Sequence, residues 1–398
     1  MTAVIITICS LLIIAYIFDL TSSKTKIPSV ILLLGLGWAA RQATYFFNLD
    51  IPDLNRLLPL FGTIGLILIV LEGSLEVELN KSQLPLLKKS VFSALFPMVG
   101  LSLALAFVFQ YFGHYSFKDS LINAIPLCII SSAIAIPSVK NSTKQAKEFV
   151  IYESSFSDIF GVVLFDFFLL NETISWGAFG HFGLQLVIII AVSFVATLGL
   201  SFLLSKIDHH IKFAPIVILV ILTYVIAKHF HLPALIFIML FGLFLGNLDE
   251  LQRIKWIKLS KPEELNKEVH KLRELVVEGT FLIRSLFFLL FGFLINTAEI
   301  TNMDTLYWAL GIVAVIFIIR FIQLKALKVP LQPLLLIAPR GLITILLFLA
   351  ITPEQAIPLV NKSLIIQIII LTALIMMIGL MTTRSVLKPK ADKETLTA

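Results

Sequence analysis

Charge is scarce in this chain: 14% of its 398 residues are Asp, Glu, Lys or Arg, against about 25% in soluble domains. That scarcity excludes an ordinary soluble fold. Cysteine is scarcer still. Cys9 and Cys128 both lie in apolar segments, so they offer neither metal-site spacing nor a disulfide framework. The sequence contains no P-loop, no glycine-rich turn in a βαβ setting, no HExxH and no GxSxG elbow. ATP-driven pumping, nucleotide binding and the commoner hydrolase chemistries are therefore not expected, nor is a resident cofactor. After the last apolar run comes LKPKADKETLTA, and no regulatory nucleotide-binding domain is expected there.

What is present is hydrophobic sequence. Apolar residues make up 58% of the chain, with a mean hydropathy of +0.99. The runs are continuous, whereas the strands of a membrane barrel alternate. The chain thus reads as an all-α polytopic membrane protein with the lipid bilayer as its solvent. Thirteen spans are expected, near 2–20, 28–46, 57–77, 90–112, 119–139, 147–170, 177–204, 213–230, 232–247, 276–296, 305–327, 330–352 and 363–387. Span 9 is short and needs tilt or local thinning of the bilayer. The first run lacks a basic leader and a small-residue cleavage site, and is read as a retained helix.

Loop charge supports this count independently. Of the 31 basic residues, 23 fall in loops on one side and 5 on the other, leaving Arg284, Arg320 and Arg340 inside spans. Basic residues are retained on the cytoplasmic side. The expected location is therefore the inner (plasma) membrane, with the N-terminus outside and the C-terminus cytoplasmic. A net charge of +6 carried by loops does not point to nucleic acid. The longest polar stretch, 248–275, reads either as a helix on the membrane surface, through Trp256 and its leucines, or as a solvated loop.

The chemistry concentrates in span 6, AKEFVIYESSFSDIFGVVLFDFFLLNE at 146–172, which carries Glu153, Asp158 and Asp166. A charged carboxylate at the bilayer centre costs about 3 kcal/mol on insertion scales, so such acids face a wet or protein-lined interior. Glu153 and Asp158, five residues apart, differ by about 140° around a helix. They cannot share one small ion, so one is expected in a salt bridge and the other facing water. The buried arginines need acceptors, and the acids at membrane depth are chiefly Glu72, Glu153, Asp158 and Asp166. Asp166, two turns beyond Asp158, is either an outer-side acid or structural. Glu72 is either a funnel acid or a snorkelling side chain.

Two spans carry backbone punctuation. Span 5 reads CIISSAIAIPSVK, with Pro137, and span 12 reads LLLIAPRGLITILL, with Pro339 and Gly341 beside Arg340. Seven positions separate the two spans, so they run in opposite directions. Breaks at matching places in inverted halves mark the midplane site of a secondary transporter. The plainer alternative is that Pro137 ends span 5 and Pro339 only kinks span 12.

At these residues the chain resembles the monovalent cation/proton antiporter superfamily, the sodium/proton and potassium/proton exchangers. GTIGLILIVLEGSLE (62–76) is similar to the family's third-span pattern. ESSFSD (153–158) is similar to its sixth-span motif, in which a Glu is followed five residues later by the ion-carrying Asp. Arg320 and the PRG of 339–341 match its two buried arginines. The resemblance implies inverted repeats with two broken crossing helices, 5 and 12, and a homodimer. It also implies an elevator-like movement of a core against a scaffold. The regions would then be scaffold helices 1–3 (1–80), core helices 4–6 with the ion site (81–172) and scaffold helices 7–10 (173–299, including the loop 248–275). Core helices 11–13 (300–388) and a cytoplasmic tail (389–398) complete the chain.

The implied activity is exchange of Na⁺, or secondarily K⁺, for H⁺. Asp158 would hold cation or proton, with Ser131, Ser132, Ser154 and Ser157 supplying oxygen ligands. Glu153 would pair with Arg320, with Arg284 as the second choice of partner. Arg340, between Pro137 and Pro339, would compensate the helix dipoles at the crossing. Two departures from the family pattern matter. Ser157 stands where electrogenic members carry a second Asp, which implies one-for-one exchange. Ser131-Ser132-Ala133 replaces Thr-Asp-Pro in span 5, removing the usual acid near Arg340. Rival readings are a sodium-coupled organic-anion symporter of similar architecture, an ion channel and a membrane-embedded enzyme. A channel would need a polar pore or a filter loop, and the sequence shows neither.

Overall fold

The computed structural model describes residues 2–25, 27–47, 54, 56–77, 84–139, 142–171, 176–206, 213–230, 232–248 and 262–382. Among these residues there are fifteen α-helices, one 3-10 turn and no strand. Seven apolar segments are long enough to cross a membrane, and three shorter apolar helices accompany them. The tail 389–398 and Trp256 lie outside the described residues.

One half of the bundle is built from α1 (Thr2–Thr25), α2 (Ser29–Phe46), α3 (Leu57–Glu76), α8 (Trp176–Lys206), α9 (Phe213–His229), α10 (Ala234–Gly246) and α11 (Pro262–Phe293). Its closest packing is α11 on α2 and α3, and α10 on α3. In lipid there is no hydrophobic force between apolar helices, so association depends on backbones approaching at small residues. Here Gly37 and Gly292 provide that approach. A Cβ on Gly37 would lie 2.2 Å from the Leu289 carbonyl oxygen, and one on Gly292 would lie 2.4 Å from that of Leu34.

The other half comprises α4 (Leu84–Gly113), α5 (Phe117–Cys128), α6 (Ser132–Ser138), α7 (Lys144–Leu170), the four-residue α12 (Thr297–Ile300), α13 (Met303–Ala326), the 3-10 turn Leu334–Leu336, α14 (Leu342–Ala350) and α15 (Lys362–Thr382). Helix α4 packs on α5 and α7, and α13 on α15. The halves meet along α3, which touches α7 and α14.

Two findings revise the sequence reading. Residues 262–275 are neither a loop nor a separate surface helix, because they form the first turns of α11 and run without a break into the membrane segment. Pro262 suits the first helical position, where no N–H is needed. Val269, Leu272 and Val276 are buried along one side, while His270–Glu274 and Lys271–Glu268 pair on the other. The second finding concerns span 5. The helix stops at Cys128 and resumes at Ser132, so the interruption is at 129–131 and Pro137 lies near the far end of α6.

Candidate functional site

The interruption at 129–131 is held by tertiary partners in place of helical ones. Ile130 N donates to Ser157 Oγ of α7 at 3.0 Å. Ser131 N donates to the Pro339 carbonyl at 2.9 Å. The second non-helical stretch, 337–341, therefore meets the first by a direct backbone bond. Freed backbone groups in a membrane must find protein partners, and the N–H groups of Ile130 and Ser131 do. Gly341 permits the contact: a Cβ there would come within 2.8 Å of Ser131 Oγ and 2.7 Å of Ile134 Cδ1.

Arg340 is 2% exposed and forms no ion pair with a carboxylate among the described residues. Its Nε donates to the Leu127 carbonyl at 2.7 Å and one terminal nitrogen to the Ala338 carbonyl at 2.8 Å. Its main-chain N donates to Thr372 Oγ1 of α15 at 3.1 Å. A cation thus sits on the last carbonyls of α5, where the helix dipole is negative. Pro339 supplies the carbonyl for Ser131, whereas Pro137 takes no part in the junction.

Asp158 lies on α7 beside these two stretches and is 1% exposed. One carboxylate oxygen accepts from the Ser132 hydroxyl. The other oxygen, Oδ1, is buried with no hydrogen-bond partner among the described residues, as are Ser131 Oγ and Thr344 Oγ1. Buried polar atoms are nearly always satisfied, so orphans of this kind call for an occupant or a role. The hydroxyl of Ser154 donates within its own helix, to Val150 O at 2.7 Å. Ser157 accepts from Ile130.

Five residues earlier on α7, Glu153 faces elsewhere. Arg320 of α13 grips it with both terminal nitrogens, one of them at 2.7 Å. Both side chains are almost wholly buried, at 1% and 2% exposure. Two further groups close the cluster. Ser93 of α4 donates to Glu153, and Gln323 Nε2 donates to Glu153 Oε1 at 2.8 Å and to the Ser93 carbonyl at 3.0 Å. Arg320 also donates to the carbonyls of Leu334 and Ile337. The bidentate pair joins α7 to α13, with Ser93 adding α4. A cavity of about 20 Å³ lies between this cluster and the crossing, lined in part by Ser157, Gln323 and Arg340. That volume suits about one water molecule.

The remaining candidates stand apart. Arg284 approaches Asp19 of α1 at 4.0 Å, which corrects the reading of Arg284 as a second-choice partner for Glu153. Asp19, missed by the sequence reading, lies close to the end of the first span. Asp166 is half-buried in the last turns of α7, near enough to Lys228 of α9 for their charges to interact. Glu72 is half-buried on α3 and already engaged. Ser93 and Gln323 were also missed. Gln323 follows Arg320 by three residues, one helical turn, and a polar side chain at that offset from a buried arginine was the available signal. No group of three or more His, Cys, Asp or Glu side chains suited to a metal occurs among the described residues.

A family model described as "Sodium/hydrogen exchanger, transmembrane" matches residues 8–388. Among solved structures, the chain is similar to the sodium proton antiporter MjNhaP1 from Methanocaldococcus jannaschii in two determinations. The electron-microscopy one aligns with a TM-score of 0.70 at 18% identity, covering 98% of this chain and 100% of that one. The other, at pH 8, aligns with a TM-score of 0.64 at 17% identity, covering 96% and 95%. A search of curated proteins finds no match. At these identities the structural likeness speaks for the fold, and the family match covers nearly the whole chain.

Proposed function

The chain belongs to the sodium/hydrogen exchanger family, and from that premise we propose that Asp158 carries one monovalent cation or one proton at a time. Na⁺ is the first candidate and K⁺ the second. Exchange is one cation for one proton, because the neighbouring position holds Ser157, not a second acid. The observation that carries this reading is the state of Asp158: buried, bonded to a serine, unpaired with any arginine, and with Oδ1 unsatisfied. Desolvation penalises a bare carboxylate. Either a proton or a hard cation relieves that penalty, and the two exclude each other.

Oxygen ligands suit such cations. Ser131 and Ser132, with carbonyls of 129–131, are the nearest supply, and Ser157 and Ser154 of α7 complete the proposed set. Glu153 and Arg320 serve as a structural tie, and Arg340 compensates the crossing. Asp166 serves either as an outer-side acid or structurally, and Glu72 either as a funnel acid or as a snorkelling side chain.

The proposed molecular frame has thirteen crossings in inverted repeats, with the N-terminus outside and the C-terminus in the cytoplasm of a cell bounded by the plasma membrane. Residues 81–172 and 300–388 form a core that moves as an elevator against a scaffold of 1–80 and 173–299, two copies pairing through the scaffold. An organic-anion symporter would need a free cationic group at its substrate site, and Arg340 is instead committed to the Leu127 and Ala338 carbonyls.

The test uses proteoliposomes with an acidic interior and a pH-sensitive dye. Adding Na⁺, K⁺ or Li⁺ outside in turn should collapse the gradient for wild type, Na⁺ acting at the lowest concentration, and leave it intact for Asp158→Asn. Cation-dependent proton movement in a folded Asp158→Asn protein would overturn the assignment.

A further inference from the structure

On the end of the molecule where α4 and α7 begin and α13 ends, a cavity of about 370 Å³ opens among elements of the core half. Its basic lining residues are Lys89 of α4 and Lys328 of the segment after α13. Both are exposed, and neither forms an ion pair with a described residue. Glu148, the acid in the lining, is paired with Lys144 at 3.6 Å and shows 18% side-chain exposure. The cavity is therefore net positive and large enough for a phosphate with its immediate substituents.

What adjoins the cavity identifies the kind of anion. Gln323 bonds to Ser93, which fixes α13 against α4 one turn from Lys89 and five residues before Lys328. Below that junction both helices turn apolar side chains outward. Phe92 and Phe96 are stacked with ring centroids 5.4 Å apart and are 50% and 62% exposed. Ile318 and Ile322 of α13 are 58% and 60% exposed. Lys325 Nζ lies 4.6 Å from the centre of the Phe321 ring on the same helix. A basic cavity standing on an apolar, lipid-level surface has the chemistry of a phospholipid site.

We propose that this cavity holds the headgroup of an anionic phospholipid, its phosphate between Lys89 and Lys328 and its acyl chains along the Phe92, Phe96, Ile318 and Ile322 surface. A lysine at a membrane surface strengthens anionic-lipid binding by about fivefold, so the pair makes the site selective for anionic over zwitterionic lipid. The inference does not depend on what Asp158 carries.

The test is a titration of the purified full chain in detergent with phosphatidylglycerol and, separately, phosphatidylcholine, read by native mass spectrometry and by thermal melting. Phosphatidylglycerol should remain bound and raise the melting temperature, and phosphatidylcholine should not. The Lys89→Gln/Lys328→Gln protein should lose this preference by tenfold or more, about what two lysines supply. Lys89→Arg/Lys328→Arg should keep it, and so should Lys271→Gln elsewhere on the same side. Unchanged preference in the double Gln protein overturns the proposal. So does equal stabilisation by free glycerol phosphate, which would make the site one for a soluble anion. Should the double Gln protein fold poorly, the single Lys328→Gln protein, altered in an exposed turn, gives the same reading at about fivefold.

Discussion

Glu153 and Asp158 share one helix and similar burial yet have opposite surroundings. Glu153 is saturated by Arg320, Ser93 and Gln323, while Asp158 has Ser132 on one oxygen and nothing on the other. Under the proposed assignment this contrast separates a structural acid from an ion-carrying one, and it predicts different mutant behaviour. Glu153→Ala leaves the Arg320 guanidinium buried with only neutral acceptors, a loss of about 3–5 kcal/mol for a broken buried pair. Its folded yield and melting temperature in detergent should fall well below wild type, and a melt equal to wild type would contradict the tie. Ser132→Ala should behave otherwise. It removes a hydrogen bond to a charged group, worth about 1.5–3 kcal/mol. The folded protein should survive, with the half-saturating cation concentration at fixed pH raised about tenfold or more in a dye-based flux assay.

At the scale of the element, the all-helical membrane class was plain in the composition and the apolar runs. The interruption in span 5 was placed less well, and the reason is physical. Pro137 is the conspicuous breaker in the sequence, but the helix opens at 129–131 because Ser157 Oγ and the Pro339 carbonyl take over its backbone donors. Those partners are 27 residues and some 200 residues away, so no local pattern announces them. The same holds for Asp19 with Arg284 and for Ser93 with Glu153, where each short polar side chain looks unremarkable until its partner arrives from another helix. Arg320 and Arg340, by contrast, stood out as charges in apolar surroundings. Gly37 and Gly292 give the corresponding prediction for packing. Since the α2–α11 contact is backbone on backbone, Gly37→Val cannot be absorbed by a side-chain rotation. It should lower the melting temperature and the yield of folded protein, while Gly35→Val, with open space around its position, should melt like wild type.

At the scale of the molecule, α3 is the seam between a half tied together by glycines and a half tied together by buried polar bonds. In the second half the two buried arginines are compensated within that half, Arg320 by Glu153 and Arg340 by carbonyls, which leaves Asp158 to be neutralised by its occupant. A body so arranged can shift against its neighbour without exposing an unpaired charge to lipid, which suits the proposed elevator movement. The single acid at the crossing further predicts electroneutral exchange. Clamping the membrane potential of proteoliposomes at zero or at about 100 mV, equivalent to about 2.3 kcal/mol per charge moved, should leave the rate unchanged. A rate that follows the clamp would contradict one-for-one exchange.

Proton release on cation binding tests the central claim most directly. Purified protein in a weakly buffered detergent solution is mixed with NaCl, with choline chloride as the control, and the pH is followed. If Asp158 holds one positive occupant at a time, near neutral pH Na⁺ should displace up to about one proton per chain. The Asp158→Asn protein should release none. Saturable Na⁺ binding without proton release, or release that persists in folded Asp158→Asn, would contradict the account.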